Sequence, residues 1–264
     1  MRGTRLRGIY VSTLAVIPAR LGATRLPRKP LRLLGGAPLV VRVLERVRSL
    51  GLADAVVVAT EAEEVAEIVR AAGGDAVITS PDHPSGTDRV AEVARLRAYA
   101  AHDVIVNVQG DEPFMRGDAM AGAIAMVREH GFPLGTAAGR RSPEILADPN
   151  CVKVVRAEDG RALYFSRAPV PFLREPEDAP LRDSLVLQHM GIYACRREAL
   201  QRWVSLPPHP LELIERLEQL RALADGLAMG VAIVEAPSWG EVNTEDDLVR
   251  ANSHWITTTA GTPR

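Results

Sequence analysis

The sequence predicts an α/β protein, a three-layer, open, mixed but mainly parallel sheet with a small hairpin-containing lobe. Three observations predict it. Between residues 14 and 129, short apolar runs alternate with segments whose apolar residues recur at helical spacing, the pattern of repeated βαβ units with right-handed crossovers. Glycines at 51, 73 and 74 close two of the helical segments, as helix stops do. Beyond Cys151 the rhythm changes to two apolar runs joined by Glu158-Asp159-Gly160, and Asp-Gly between such runs signals a hairpin.

Taken in order, Leu14–Ile17 is an uninterrupted apolar run and reads as a buried first strand. Leu39, Val40, Val43, Leu44 and Val47 give Pro38–Leu50 a helical face, and Ala55–Ala59 is a second buried strand. Glu61–Ala72 is an amphipathic helix, Ala76–Thr79 a short strand, and Thr87–Ala101 a helix carried by Val90, Val93, Ala94 and Leu96. Val104–Val108 is the clearest central strand, and Met120–Glu129 one more helix. In the later half, Val152–Val155 and Ala162–Ser166 form the hairpin, Pro169–Pro180 is irregular, and Leu185–Cys195 is a strand region. Leu211–Ala224 reads as one amphipathic helix, Val231–Glu235 as a late strand, and Thr244 to about Thr257 as a closing helix. The expected organisation is a single domain over 13–258, with 151–222 as a lobe on the same sheet and tails at 1–12 and 259–264.

Composition excludes several function classes. The chain has 264 residues, 47% hydrophobic and 25% charged, with a formal net charge of −1. A dedicated nucleic-acid binder would be basic overall, so no nucleic-acid polymer is expected as partner. No apolar run is long enough for a membrane span, and Met1–Ser12 carries three arginines but no apolar segment of signal-peptide type. Two cysteines, Cys151 and Cys195, have no metal-ligand spacing; buried free thiols in a reducing, cytoplasmic setting are expected.

Three segments carry chemistry. Pro18-Ala19-Arg20-Leu21-Gly22-Ala23-Thr24-Arg25-Leu26-Pro27-Arg28-Lys29 follows the first strand with four cations and no acid. A cationic loop with small residues at the C-terminal edge of an open α/β sheet is where such folds bind polyanions; a solvated basic loop is the plainer alternative. Gln109-Gly110-Asp111-Glu112-Pro113 leaves the central strand at the same edge. There Asp111 suits Mg²⁺, which takes one or two carboxylates plus phosphate oxygens, although aspartate is also a common turn residue. His83-Pro84-Ser85-Gly86-Thr87-Asp88-Arg89 precedes a helix. Its hydroxyls and open backbone suit both a helix cap and the edge of a base.

These segments, with LYFSRAPVP (163–171), QHMGIYACR (188–196) and PLELIERLEQLR (210–221), resemble the signature blocks of the 3-deoxy-manno-octulosonate cytidylyltransferases, the CMP-Kdo synthetases, in the same order from about Leu14 to Ala251. The resemblance implies a nucleotide-diphospho-sugar-transferase-like fold and transfer of CMP from CTP to Kdo for lipopolysaccharide synthesis. It also implies Mg²⁺ as cofactor, CTP and Kdo as small-molecule partners, and a homodimer. By motif position, Pro18, Ala19, Arg20, Arg25 and Lys29 bind the nucleotide, with Arg20, Lys29 and Asp111 catalytic. Ser85, Gly86, Thr87 and Gln109 read cytosine and ribose. Arg167, His189, Tyr193, Glu212, Glu215 and Gln219 line the sugar pocket, with Arg167 suited to the sugar carboxylate. Read without the family, Glu212 and Glu215 are a solvated helix face, and His189 is an interior histidine.

Two departures stand out. Where the family has Val-Asp-Thr before the last helix, this chain has Val242-Asn243-Thr244, so the expected metal set is Asp111 with the neutral oxygen of Asn243, or a neighbour such as Glu241 or Glu245. Arg28 stands where glycine is common and Ala23 where serine is common; added charge at 28 is expected to help bind phosphate. The alternatives are a cytidylyltransferase for an 8-amino Kdo analogue or another 2-keto acid sugar such as a sialic acid, and a nucleotide-binding protein with weak turnover.

Overall fold

The computed structural model describes residues 11–22, 25–235 and 240–259; Ala23 and most of both tails lie outside them. In chain order the elements are β1 (Thr13–Pro18), β2 (Leu33–Leu34), β3 (Ala37–Pro38), α1 (Leu39–Leu50), β4 (Ala55–Thr60), α2 (Glu63–Ala71) and β5 (Asp75–Ile78). There follow α3 (Gly86–Arg95), β6 (Val104–Asn107), α4 (Gly117–Arg128), β7 (Leu134–Arg140), β8 (Lys153–Arg156), β9 (Ala162–Ser166), α5 (Ala179–Ser184) and β10 (Leu187–Arg196). The chain closes with α6 (Arg197–Ser205), α7 (Pro210–Glu215), α8 (Gln219–Ala224), β11 (Met229–Val234) and α9 (Glu245–Thr259).

The main sheet runs in the order β11-β7-β10-β6-β1-β4-β5, and the β8–β9 hairpin joins it through Gln188 opposite Lys153. The pairs β1–β4, β1–β6, β4–β5 and β7–β11 are parallel; along that order β10 runs against both its neighbours, and the hairpin adds the antiparallel pairs β8–β10 and β8–β9. A mixed, mainly parallel sheet is therefore what the molecule has. Alternation along β1 divides the core in two. Leu14 and Val16 face one side with α3 and Trp203 of α6, while Ala15 and Ile17 face the other with α1, α2 and α4. Because successive strand side chains point to opposite faces, one apolar run serves both layers. Trp203, 1% exposed, anchors the α6 layer; truncating such a residue to alanine costs about 3–5 kcal/mol.

The structure corrects four readings of the sequence. The β7 strand lies next to β10 in the sheet, yet no strand is predicted there. Leu134-Gly135-Thr136-Ala137-Ala138-Gly139-Arg140 lacks the β-branched run that signals a strand. Its small residues exist for packing: a Cβ on Gly135 would collide with the carbonyl of Ala123 in α4. Helix α6 and the short α5 are likewise unannounced. The helix expected over Thr87–Ala101 ends at Arg95, where Leu96 turns extended. The helix expected over Leu211–Ala224 is two, α7 and α8, broken by Arg216 at φ 55. That break lets Leu217 and Leu220 both reach the core, and Trp203 donates at 3.3 Å to the carbonyl of Glu218, which also accepts the Arg221 amide.

Candidate active site

Two cavities open at the C-terminal edge of the parallel strands. The first, about 420 Å³, is lined by Pro18, Ala19, Arg20, Arg25, Lys29, Ser85, Gly86, Gln109 and Asp111, with Arg89, Glu241 and Asn243. The second, about 750 Å³, takes Arg167, His189, Tyr193 and Gln219 together with Gln188, Arg216 and Glu218. They share Arg25, Gln109, Glu241 and Asn243, so a ligand in each would meet at that seam. The loops after β1 and β6 touch because Gly110 has no side chain: a Cβ there would lie 2.5 Å from the carbonyl of Pro18.

At the seam, Lys29 Nζ donates to Asp111 Oδ2 at 2.6 Å and to Asn243 Oδ1 at 2.9 Å. Arg25 Nη2 also reaches Asn243 Oδ1, at 3.3 Å. Asn243 Nδ2 donates to Glu241 Oε2 at 2.6 Å, which fixes the amide with its oxygen toward the cations. Glu112 is held well above the usual carboxylate range by burial, then by the charges of Glu241 and Asp111. Glu241 keeps an exposed surface, yet its carboxyl too is raised, first by desolvation against the cavity wall and then by Asp111. Negative charge is thus crowded at this point. Among the described residues no group of three or more His, Cys, Asp or Glu is arranged to enclose a metal ion. The donor set nonetheless fits Mg²⁺, which needs few protein ligands beside phosphate: the Asp111 carboxylate and the Asn243 oxygen already converge on one cationic centre, the ammonium of Lys29.

Several predicted residues are placed differently from expectation. Thr87 is buried and lies outside the lining of the first cavity; it accepts from Asn107 Nδ2 at 3.2 Å and donates to Glu218 Oε1 at 2.5 Å. Ser85 caps α3, bonding Asp88 through both its hydroxyl and Asp88's amide, so the capping role and the cavity wall coexist. Arg28 is absent from the lining of both cavities and pairs with Glu64 at 2.5 Å. Its φ of 55 is the left-handed conformation that favours glycine, which accounts for glycine being common there. Glu245 is tied to Arg32, so of the two glutamates it is Glu241 that bonds the Asn243 side chain.

On the sugar side, Glu212 is engaged by Arg221 through Nε and Nη2 and caps α7, and Glu215 holds Ser166 Oγ and the Arg167 amide. Neither belongs to the lining of the second cavity; they brace its wall. Arg167 faces the cavity, but its guanidinium donates to the carbonyls of Glu215, Pro149 and Arg216. Arg25, Arg116 and Arg250, the other arginines of that lining, bond Asn243, Asp118 and Asp247 respectively. The Arg216 side chain has no such partner among the described residues. His189 is buried and its pKa falls to about 3 because of that burial; its ring stands 5.4 Å from that of Tyr193, on one face as the four-residue spacing predicts. Burial and then the charge of Glu218 push the Tyr193 phenol well up.

Sequence reasoning missed Glu218, Gln188, Arg89 and Arg216. Glu218, raised by burial despite its bond from Thr87, ties the helix-capping loop of the first cavity to the wall of the second. Arg89 pairs with Glu61 at 3.0 Å while Glu61 Oε1 accepts the Leu21 amide at 2.9 Å, which steadies the cationic loop. Gln188 Oε1 is buried with no hydrogen-bond partner among the described residues. All four stood inside the quoted blocks, but nothing in their spacing marked them.

The fold is an open, mainly parallel α/β sheet with two cavities that meet at one edge. The profile of the cytidylyltransferase family matches residues 14–231. The 3-deoxy-manno-octulosonate cytidylyltransferase of Gemmatimonas aurantiaca is 62% identical over 242 residues, covering 92% of this chain and 93% of that protein. That of Polynucleobacter asymbioticus is 47% identical over 240 residues, covering 90% and 93%. A solved structure of CMP:2-keto-3-deoxy-manno-octonic acid synthetase complexed with CTP superposes with a TM-score of 0.85 at 36% identity, covering 94% of this chain and 99% of that one. This chain belongs to the cytidylyltransferase family, in its 3-deoxy-manno-octulosonate cytidylyltransferase branch.

Proposed function

We propose that this chain joins CTP to 3-deoxy-manno-octulosonate, giving CMP-Kdo and pyrophosphate for lipopolysaccharide synthesis. The observation that carries this reading is the pair of cavities meeting at Arg25, Gln109, Glu241 and Asn243. One is cationic and suits a triphosphate; the other is walled by polar groups and suits a polyhydroxy acid. In the reaction the anomeric hydroxyl of the sugar forms a bond to the α-phosphorus and gives up its proton. The bond between the α-phosphorus and its bridging oxygen breaks, and pyrophosphate leaves. Such transfers are accelerated mainly by positioning and by charge stabilisation. Arg20, Arg25 and Lys29 supply positive charge where the phosphates gain negative charge. Asp111 and Asn243, with Glu241 adjacent, would hold Mg²⁺, which neutralises phosphate charge when bound.

The unpartnered acceptor of Gln188 suits a sugar hydroxyl, because a buried acceptor left unpaired is costly. Arg216 is the guanidinium free to meet the sugar carboxylate, while Arg167 shapes the wall. Exposed Leu163, Phe172, Leu181, Leu185 and Ile214 all lie in the 151–222 lobe and support a homodimer formed through it, which sedimentation velocity would test. No helix among the described residues is long and apolar enough to cross a membrane; with Cys151 and Cys195 as free thiols, this suits action in the cytoplasm. The deciding assay is pyrophosphate release with CTP and Mg²⁺ against Kdo, 8-amino Kdo and a sialic acid. Turnover with Kdo at the highest kcat/KM is expected. A clear preference for another sugar would move the substrate, and no turnover with any would leave a nucleotide-binding protein.

A further inference from the structure

His189 sits at the wall of the second cavity, and the hydrogen bonds around it fix which nitrogen carries its proton. Thr136 of β7 is fully buried and lies opposite Tyr193 in the ladder, just past the step in register that separates His189 from Tyr193. Its Oγ1 is 2.6 Å from the carbonyl oxygen of Ile192 and 2.9 Å from Nε2 of His189. A carbonyl oxygen can only accept, and a hydroxyl has one proton to give. The Thr136 proton therefore goes to Ile192, and Thr136 Oγ1 is left as an acceptor toward His189. Nε2 must be the N–H. Burial keeps the ring neutral at ordinary pH, so it has no second proton, and Nδ1 carries a bare lone pair. No described residue donates to Nδ1, and the ring is held edge-on to Phe165 at 4.8 Å and beside Tyr193 at 5.4 Å.

We propose that Thr136 is a positioning residue for sugar recognition: it locks His189 as the Nε2–H tautomer and so presents Nδ1 to the sugar cavity as an acceptor for a substrate hydroxyl. The proposal rests on the reading of the second cavity as the sugar site. It gives a specificity consequence: a hydroxyl can bond to Nδ1, whereas a carbonyl or ether oxygen at that point cannot.

The test has one readout that needs no substrate. In ¹⁵N-histidine-labelled protein, two-bond nitrogen–proton correlation spectra distinguish protonated from bare ring nitrogens. Wild type should show His189 with Nε2 protonated and Nδ1 bare, and a wild-type ring with Nδ1 protonated overturns the proposal outright. Thr136→Val removes the hydroxyl at nearly constant volume and should yield a tautomer mixture or the opposite tautomer. Its KM for the sugar should rise about five- to twentyfold, with KM for CTP within twofold of wild type; Thr136→Ser should restore both signals. A Val variant with the wild-type tautomer and sugar KM overturns the proposal, as does a Ser variant that behaves like Val. Should Val fail to fold, the wild-type spectrum and the Ser variant still decide. If no 2-keto sugar is turned over while the Nε2–H tautomer is observed, the functional reading fails and takes the sugar half of the proposal with it, whereas the locking by Thr136 stands.

Discussion

The first cavity draws three of its cations, Arg20, Arg25 and Lys29, from one loop and a fourth, Arg89, from α3, whereas the second gathers its walls from segments spread between Arg25 and Arg250. The chemistry differs in the same way. In the first, charged side chains stand partly exposed and ready for a polyanion; Arg20 is exposed and Arg25 bonds only Asn243 among the described residues. In the wall of the second and just behind it, polar groups are already bonded to one another: Glu212 to Arg221, Glu215 to Ser166 and Arg167, His189 to Thr136. A triphosphate is recognised by charge density, which tolerates mobile ligands and bulk water at the rim. A neutral hydroxyl pattern is recognised by prearranged donors and acceptors in a dry wall, where a misplaced partner leaves a group unpaired. Substitutions in the two cavities should therefore act through different quantities.

The largest effect should come at the seam. Asp111→Ala removes the carboxylate that Lys29 holds and that would bind Mg²⁺. Turnover should fall by at least about a hundredfold, the scale of losing a group that stabilises transition-state charge, and added Mg²⁺ should not restore it. Pyrophosphate release across a Mg²⁺ series measures this; near-normal turnover would put the cation site elsewhere. Next, Arg25→Ala should weaken CTP use about ten- to a hundredfold, as charged hydrogen bonds of about 1.5–3 kcal/mol imply, and leave thermal stability unchanged. If CTP use is unchanged, the loop after β1 plays no part in holding the nucleotide.

A buried histidine in the second cavity should appear in the pH dependence of stability. The folded pKa of His189 is lowered to about 3, whereas the unfolded chain titrates near 6.5. Below that pH the unfolded state binds a proton that the folded state refuses, so stability falls on acidification. The slope reaches about 1.4 kcal/mol per pH unit until the folded pKa is met. Urea unfolding of wild type and His189→Gln between pH 7 and 4.5 should show the variant losing less stability by about 2–3 kcal/mol. Parallel curves would mean that His189 titrates normally in the fold. The smallest effect is expected at Arg28. Replacement by glycine relieves the left-handed backbone but loses an exposed ion pair and loosens the unfolded chain, so stability should change by less than about 1 kcal/mol, with CTP kinetics unaltered. Weakened CTP binding would return Arg28 to the phosphate site.

What the sequence determined by itself was everything that depends on local pattern. The apolar runs of β1, β4 and β6 and the helical spacing of α1 and α2 state their own period. The Asp159-Gly160 turn and the cation-rich loop at 20–29 are contiguous and need no partner to be read. Because the loops after parallel strands emerge at one sheet edge, their order alone placed Lys29 and Asp111 together. Only the tertiary structure decided what depends on a neighbour far along the chain. Strand β7 is made of small residues because α4 presses on it, a reason invisible in Leu134–Arg140. The break at Arg216 follows from burying Leu217 and Leu220 on one side and turning Glu218 toward Thr87 on the other. Sequence position put Thr87 on a base and Arg28 on phosphate; distance and burial gave Thr87 to Glu218 and Arg28 to Glu64. A side chain's type is written in the sequence, but which of its hydrogen bonds are already taken is a property of the folded environment, and that property decides whether Arg167 or Arg216 is free to meet a ligand.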